Sequence, residues 1–339
     1  MGRKRVLTGI TTTGTPHLGN YVGAIRPAIE ASRESESDSF FFLADLHALI
    51  KSQDPQAVHQ SGKEIAATWL ALGLDTDKAV FYRQSDIREI TELTWTLNCV
   101  CAKGLMNRAH AYKAAVDANI EEGEDADKAI TMGLFSYPVL MAADILMFGA
   151  HEVPVGKDQI QHVEMARDIA QRFNHIYCKK SDPIMVLPDY KVEDNVAVLQ
   201  GLDGRKMSKS YNNTIPLFST EKQLKKGINK IVTNLLEPGE PKDPDTSTVF
   251  QIWKAFASEQ QAVEMREAFE QGIGWGDAKK KLFELVNTEI AESRERYFDL
   301  MDRPKDIEDI LQEGARKARE ESQSRMERVR QAVGLYPLG

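Results

Sequence analysis

The chain has 339 residues, 42% of them hydrophobic and 28% charged, with a formal net charge of −8. That length fits about two globular domains whose core needs no covalent staples, and the acidic balance argues against a nonspecific nucleic-acid coat while leaving room for a local basic face. Three cysteines, Cys99, Cys101 and Cys178, form no C-x-x-C pair, no apolar run reaches membrane-span length, and MGRKRV at the start has no apolar leader and carries Val6 where a myristoylation pattern needs Ser or Thr. The expectation is a soluble cytoplasmic protein with no membrane contact, no disulfide framework and no metal site built from its own side chains.

Val6–Ile10 reads as a strand, followed by TTTGTP and then HLGNYVGAI at helical spacing, so a helix is expected from Gly19 to about Ser35, kinked at Pro27. The loop between them is either an ordinary turn or a phosphate site, since glycines admit close backbone approach and a helix start offers free N–H groups. SFFFLADL (39–46) suits a buried parallel strand, residues 55–72 a helix, and AVFYRQ (79–84) a third strand. This βαβαβ order predicts an α/β fold with a Rossmann-like, doubly wound parallel sheet, with ligands at the carboxyl ends of its strands.

Residues 87–150 read as several helices. In SYPVLMAADILMF, Tyr137, Met141, Asp144 and Ile145 fall at steps of 0, 4, 7 and 8 and share one helix face. A core stripe accounts for Met141 and Ile145, but a carboxylate amid Leu, Met, Ala and Ile is costly unless it is paired or used. An indole N–H donates and cannot accept, so a carboxylate at the end of an apolar slot would read it. HEVPVG (151–156) is expected to be a strand, with Gly156, Lys157 and Asp158 at its end opening a helix over 157–173, and DPIMVLP (182–188) one further strand.

LDGRKMSKSYNN (202–213) places Lys206 and Lys209 around small hydroxyl residues in a glycine-containing loop. Such a loop reads as an exposed basic segment, or as one that closes over a polyphosphate and neutralises charge on it. From residue 215 strand signals fade. Helices are expected over 219–236, 246–257, 258–272, 276–301 and 306–334, the last stopped by Gly334. Lys222, Lys225, Lys226 and Lys230 share one helix face, and Lys279–Lys281 form a second basic run; solvated surface is the simple reading of both.

HLGN after the first strand and KMSKS after the last resemble the two signatures of class I aminoacyl-tRNA synthetases. GNYVGAI, DLHAL, SYPVLMAADILMF and VPVGKDQIQHVEMARDIAQRFN extend the resemblance over essentially the whole chain, to the bacterial tryptophanyl-tRNA synthetase family. Two places depart from that pattern. Asn20 stands where the usual signature has a second His, and Thr11–Thr13 where Gln-Pro-Ser or similar is common.

The resemblance implies a catalytic domain over 1–214, a helical anticodon-binding domain over 215–300 and a C-terminal helix over 301–339. It implies activation of L-tryptophan with ATP and Mg2+ held through the phosphates, then transfer to tRNA(Trp), in a homodimer joined near residues 87–115. His17, Asn20, Lys206 and Lys209 would be catalytic. ATP would be held by Thr11, Thr12, Thr13, Gly19, Asn20, Gly156, Lys157, Asp158, Val198, Lys206, Met207, Ser208, Lys209 and Ser210, with Lys113 a further phosphate candidate. Leu7, His47, Tyr137, Met141, Asp144, Ile145, Val153, Val155 and Gln159 would hold tryptophan. The alternatives are a tyrosyl-tRNA synthetase, whose phenol needs a donor and an acceptor together, a non-catalytic tRNA-binding paralogue, and a tRNA-independent adenylyltransferase, which would not need so long a helical segment.

Overall fold

In the computed structural model, which describes residues 3–34, 36–192 and 198–338, strand β1 (Arg5–Thr11) runs into the threonine–glycine loop and a short helix α1 (Leu18–Asn20). The break expected at Pro27 takes the form of one π-helical turn, Tyr21–Ile25, ahead of α2 (Arg26–Glu34). Pro27, which has no N–H to give, follows this turn closely, and the wider π turn takes up the interruption within one continuous helix. Ser35, expected to end this helix, lies outside the described residues.

There follow β2 (Asp38–Ala44), α3 (Asp45–Ala48), α4 (Pro55–Ala71) and β3 (Ala79–Arg83). Helix α4 starts where Asp54 accepts the N–H groups of Gln56 and Ala57 with Pro55 at the first position. Residues 87–150 form α5 (Glu89–Val100), α6 (Lys103–Met106), α7 (His110–Glu121) and α8 (Met132–Met147), and β4 (Glu152–Val155) leads to α9 (Ile160–Tyr177).

The strand expected over 182–188 does not form; β5 is Asp189–Val192. The Asn174 side chain accepts the N–H groups of Ile184 and Met185 and donates to the Met185 carbonyl. Those backbone groups are therefore satisfied by a side chain, and Pro183 and Pro188 bring no donors to a ladder.

All strand pairs are parallel, in the order β3-β2-β1-β4-β5. The order reverses beside β1, so the crevice for a ligand opens where β1 and β4 end, at the threonine–glycine loop. In β2 every residue after Asp38 is buried, as a central strand covered on both faces requires. Alternation sends Leu7, Phe40, Phe42 and Tyr82 to one face, under α5, α8 and α9, and Ile10, Phe41, Leu43 and Phe81 to the other. This second core continues without a break through α4 into α10 (Glu221–Asn229), α11 (Thr248–Phe256), α12 (Glu259–Glu270) and α13 (Trp275–Asp302).

Helix α10 stops short of the expected residue 236. The Val232 N–H bonds the Leu202 carbonyl, and Lys279 Nζ on α13 takes the carbonyls of Asn229 and Ile231. Lys279 is therefore a helix-end donor and not solvated surface, and burial lowers its pKa. The last helix, α14 (Pro304–Val333), returns to the sheet and packs on β3. Gly314 lies against the Phe81 carbonyl. Arg319 bonds the Asp86 carbonyl, Arg325 those of Met147 and Ile184, and Arg330 pairs with Glu92.

Candidate active site

Two loops far apart in sequence meet at the carboxyl end of β1. His17 caps α1: its Nδ1 accepts the Asn20 N–H at 3.3 Å while Asn20 Oδ1 accepts the His17 N–H at 3.1 Å. Asn20 is thus spent on this reciprocal cap. With Nδ1 accepting, the imidazole proton sits on Nε2. His17 is buried, and burial together with the nearby Lys209 charge lowers its pKa to about 4, so it is neutral at pH 7.

Backbone bonds stitch this turn to residues 215–217. Leu18 N–H donates to the Ile215 carbonyl, Leu217 N–H to that of Pro16, and His17 pairs with Pro216. Gly19 makes room at this junction: a Cβ there would lie 3.1 Å from the His17 ring, so a larger residue would press on the imidazole. Met207 itself is buried in the core that runs into the helices.

The KMSKS segment is held as a tight hairpin. Met207 N–H bonds the Leu199 carbonyl and Gly201 N–H that of Arg205. Asn213, buried, organises the turn from inside: it accepts the Ser208 N–H at 2.8 Å and donates to Asp203 at 2.7 Å and to the Lys206 carbonyl at 3.1 Å. Lys206 and Val198 are exposed, and Ser208 and Ser210 share a hydrogen bond. The Lys209 ammonium reaches back to the Thr13 carbonyl and lies over Gly14, whose φ of +63° needs glycine. Enclosure of its head group lowers the Lys209 pKa, with Glu64 opposing the shift.

Helix α4 braces the same loop. Gly14 N–H donates to Ser61 Oγ and the Thr15 hydroxyl to Glu64. Thr12 is buried and bonds the Ala44 carbonyl, while Thr11 is exposed. Gly156, Lys157 and Asp158 stand exposed where β4 ends, and Lys113 is exposed on α7.

Asp144 on α8 is fully buried. It accepts from His47 Nε2 at 2.9 Å and from Gln84 Nε2 at 2.8 and 2.9 Å. Burial raises its pKa while these two donors oppose the rise. The Tyr82 hydroxyl, also fully buried, has no hydrogen-bond partner among the described residues, and burial and the Asp144 charge push its pKa well up.

A polar relay stands beside this carboxylate. Tyr137 OH donates to His162 Nε2 at 2.7 Å, His162 Nδ1 donates to Gln159 Oε1 at 2.9 Å, and Gln159 Nε2 reaches Asp158 at 3.1 Å. Burial lowers the His162 pKa and keeps the ring neutral. Tyr137 opens onto a cavity of about 490 Å³ with Leu46, Ile50, Thr94 and Leu140.

Leu7, Ile145 and Val153 are packed in the core, whereas Met141 and Val155 are half-buried. The arrangement brings a neutral imidazole and a lysine together at the carboxyl end of β1, while a buried carboxylate lies on the other face of the sheet. Gln84, His162, Asn213, Ser61 and Glu64 escape sequence reasoning. Of these only Gln84 carries a signal, as a polar residue closing a buried strand.

A family model described as tRNA synthetases class I (W and Y) matches residues 2–291. A tryptophan–tRNA ligase of Pseudomonas syringae pv. tomato is 62% identical over 98% of this chain and 74% of its own length. One of Neisseria meningitidis serogroup A is 59% identical over 100% of both. Among solved structures, a tryptophanyl-tRNA synthetase of Campylobacter jejuni, complexed with ADP and tryptophan, superposes with a TM-score of 0.89 at 44% identity, covering 98% of this chain and 100% of that one.

Proposed function

The chain belongs to the class I tRNA synthetases of the tryptophan and tyrosine group, and within it to the bacterial tryptophan–tRNA ligases, and from that premise we propose how its residues divide the reaction. The enzyme uses ATP to join tryptophan to tRNA. The amino-acid carboxylate attacks the α-phosphate and pyrophosphate leaves. A terminal adenosine hydroxyl of the tRNA then attacks the acyl carbon of the adenylate and AMP leaves. No covalent nucleophile from the protein is needed, so positioning and charge stabilisation carry the rate.

Thr11–Thr13 and Gly19 present backbone to the nucleotide, and His17 offers its Nε2–H to a phosphate as a neutral donor. Asn20 acts through the cap that orients His17. Lys206 and Lys209 stabilise charge on the departing pyrophosphate, and Val198, Met207, Ser208 and Ser210 line the nucleotide from the hairpin. Gly156, Lys157 and Asp158 face the ribose and phosphates.

Asp144 accepts the indole N–H. Leu7, His47, Met141, Ile145, Val153 and Val155 frame the ring, and Tyr137 and Gln159 meet the amino-acid end. Magnesium would be held through the ATP phosphates and would neutralise their charge. Lys222, Lys225 and Lys226, exposed on α10, suit tRNA phosphates, with the helical unit of residues 215–300 reading a CCA anticodon. The dimer forms around residues 87–115, where Trp95 stands 72% exposed. No described helix is long and apolar enough to cross a membrane.

The observation that carries this assignment of roles is the Lys209 ammonium seated on the Thr13 carbonyl, which brings the second signature onto the first at one anion site. Pyrophosphate exchange into ATP, run against all twenty amino acids, tests the reading. Exchange is expected with tryptophan alone, and exchange driven by tyrosine would overturn it.

A further inference from the structure

Two N–H donors hold the Asp144 carboxylate. His47 Nε2 donates to Oδ2 at 2.9 Å, and one Gln84 Nε2–H is shared between Oδ2 at 2.9 Å and Oδ1 at 2.8 Å, so Oδ1 is the less engaged oxygen. A carboxylate only accepts, so the His47 proton sits on Nε2. The Gln84 amide cannot be turned over either: its Oε1 accepts the Leu46 N–H at 3.1 Å, and the flipped amide would aim that oxygen at the carboxylate.

The two donors come from neighbouring strand ends locked to each other. Leu46 and His47 follow β2, Gln84 follows β3, and Asp45 accepts the N–H groups of both Leu46 and Ser85 at 3.0 Å. Gln84 itself is fully buried. Its side chain is shielded from solvent and hydrogen-bonds the carboxylate and the turn that carries His47.

We propose that Gln84 is a specificity-positioning residue: with His47 it pins Asp144 so that Oδ1, the oxygen His47 does not hold, is the one left to receive a ring N–H. Gln84 acts through Asp144 and has no part in the bond-making steps. The inference deepens the assignment of Asp144 to the indole and rests on it. It accounts for selection of a ring that donates once, because a carboxylate free to rotate would accept in several directions and discriminate less by alignment.

The test compares kcat/KM in pyrophosphate exchange for tryptophan and for β-(3-benzothienyl)alanine, a near-isostere whose ring sulfur replaces the N–H. In Gln84→Met, which keeps volume and removes the amide, the tryptophan preference should fall about tenfold, on the scale of one hydrogen bond to a charged group. Gln84→Asn retains the amide but withdraws it by a methylene, and gives the same readout should the methionine variant fail to fold. A merely structural Gln84 would lower both substrates together, and an unchanged ratio in a folded variant overturns the proposal. Asp144→Ala separates the two levels. If it leaves the ratio intact, the indole assignment fails. If it abolishes the ratio while the Gln84 variants preserve it, only the positioning role fails.

Discussion

Replacing Gly314 with alanine probes the fit of α14 against β3. A Cβ at this position would overlap the Phe81 carbonyl oxygen and stand 2.6 Å from its carbon. That is about 1 Å inside the ~3.5–4.0 Å at which carbon atoms pack. Phe81 is fixed by its pairing with Phe41 in β2, so the helix must retreat.

The oxygen contact, at 1.7 Å, demands a retreat of more than ~1 Å, which carries the Arg319 bond to the Asp86 carbonyl, now 3.1 Å, out of hydrogen-bonding range. It also thins the packing at Leu311, Ala315 and Ala318. Overpacking costs about 1–3 kcal/mol and the lost bond about 1 kcal/mol, against a propensity gain of about 1 kcal/mol for alanine over glycine. The net loss is about 1–3 kcal/mol on these terms.

Gly62 is the control, since it lies inside α4 and a Cβ there has nothing within 4 Å. Gly62→Ala keeps the propensity gain alone. Equilibrium urea unfolding should move the two midpoints in opposite directions. A Gly314→Ala midpoint at or above that of the unaltered protein would refute the contact as the reason for glycine.

Three further outcomes are expected. Lys209→Ala should slow pyrophosphate exchange about 100-fold, as loss of a transition-state charge partner does, with tryptophan KM little changed; equal losses in both would assign Lys209 to ground-state binding. Asp144→Ala should raise the tryptophan KM and relax selection against phenylalanine by about tenfold or more, measured by exchange with each amino acid, and unchanged selectivity would remove Asp144 from the indole. His17 should stay neutral down to about pH 4 in the ligand-free protein. The unfolded chain then binds the extra proton between about pH 4 and the ordinary histidine value of 6.5, so this residue's contribution to stability rises with pH across that window. An imidazole NMR titration of His17 centred near 6.5 would contradict the burial that sets it.

The sheet was legible because buried parallel strands write themselves as apolar runs separated by amphipathic helices, and SFFFLADL is the plainest of these. The failure at DPIMVLP has a local cause that no pattern reveals. Asn174, on the preceding helix, consumes the backbone groups a ladder would need. Asp144 announced itself as a charge in an apolar helix, but its partners did not. Gln84, the polar residue that closes β3, meets the carboxylate because the ends of β2 and β3 lie side by side, joined through Asp45, where α8 packs. His162 read as one more residue of an amphipathic helix, and its bond to Tyr137 spans 25 positions. Lys279 looked like surface and is a cap, since the helix end it bonds lies fifty positions earlier in the chain and comes under it only after folding.

Of the two margins of the sheet, α14 occupies the one along β3, where the Phe81 carbonyl already faces a helix. An intruding strand from another molecule finds partners only along β5, four residues long among those described, carrying Asp189 and Lys191, with Arg167 paired to Asp189. Edge-to-edge growth, the first step toward cross-β deposits, is stopped on one side by a helix and discouraged on the other by charge.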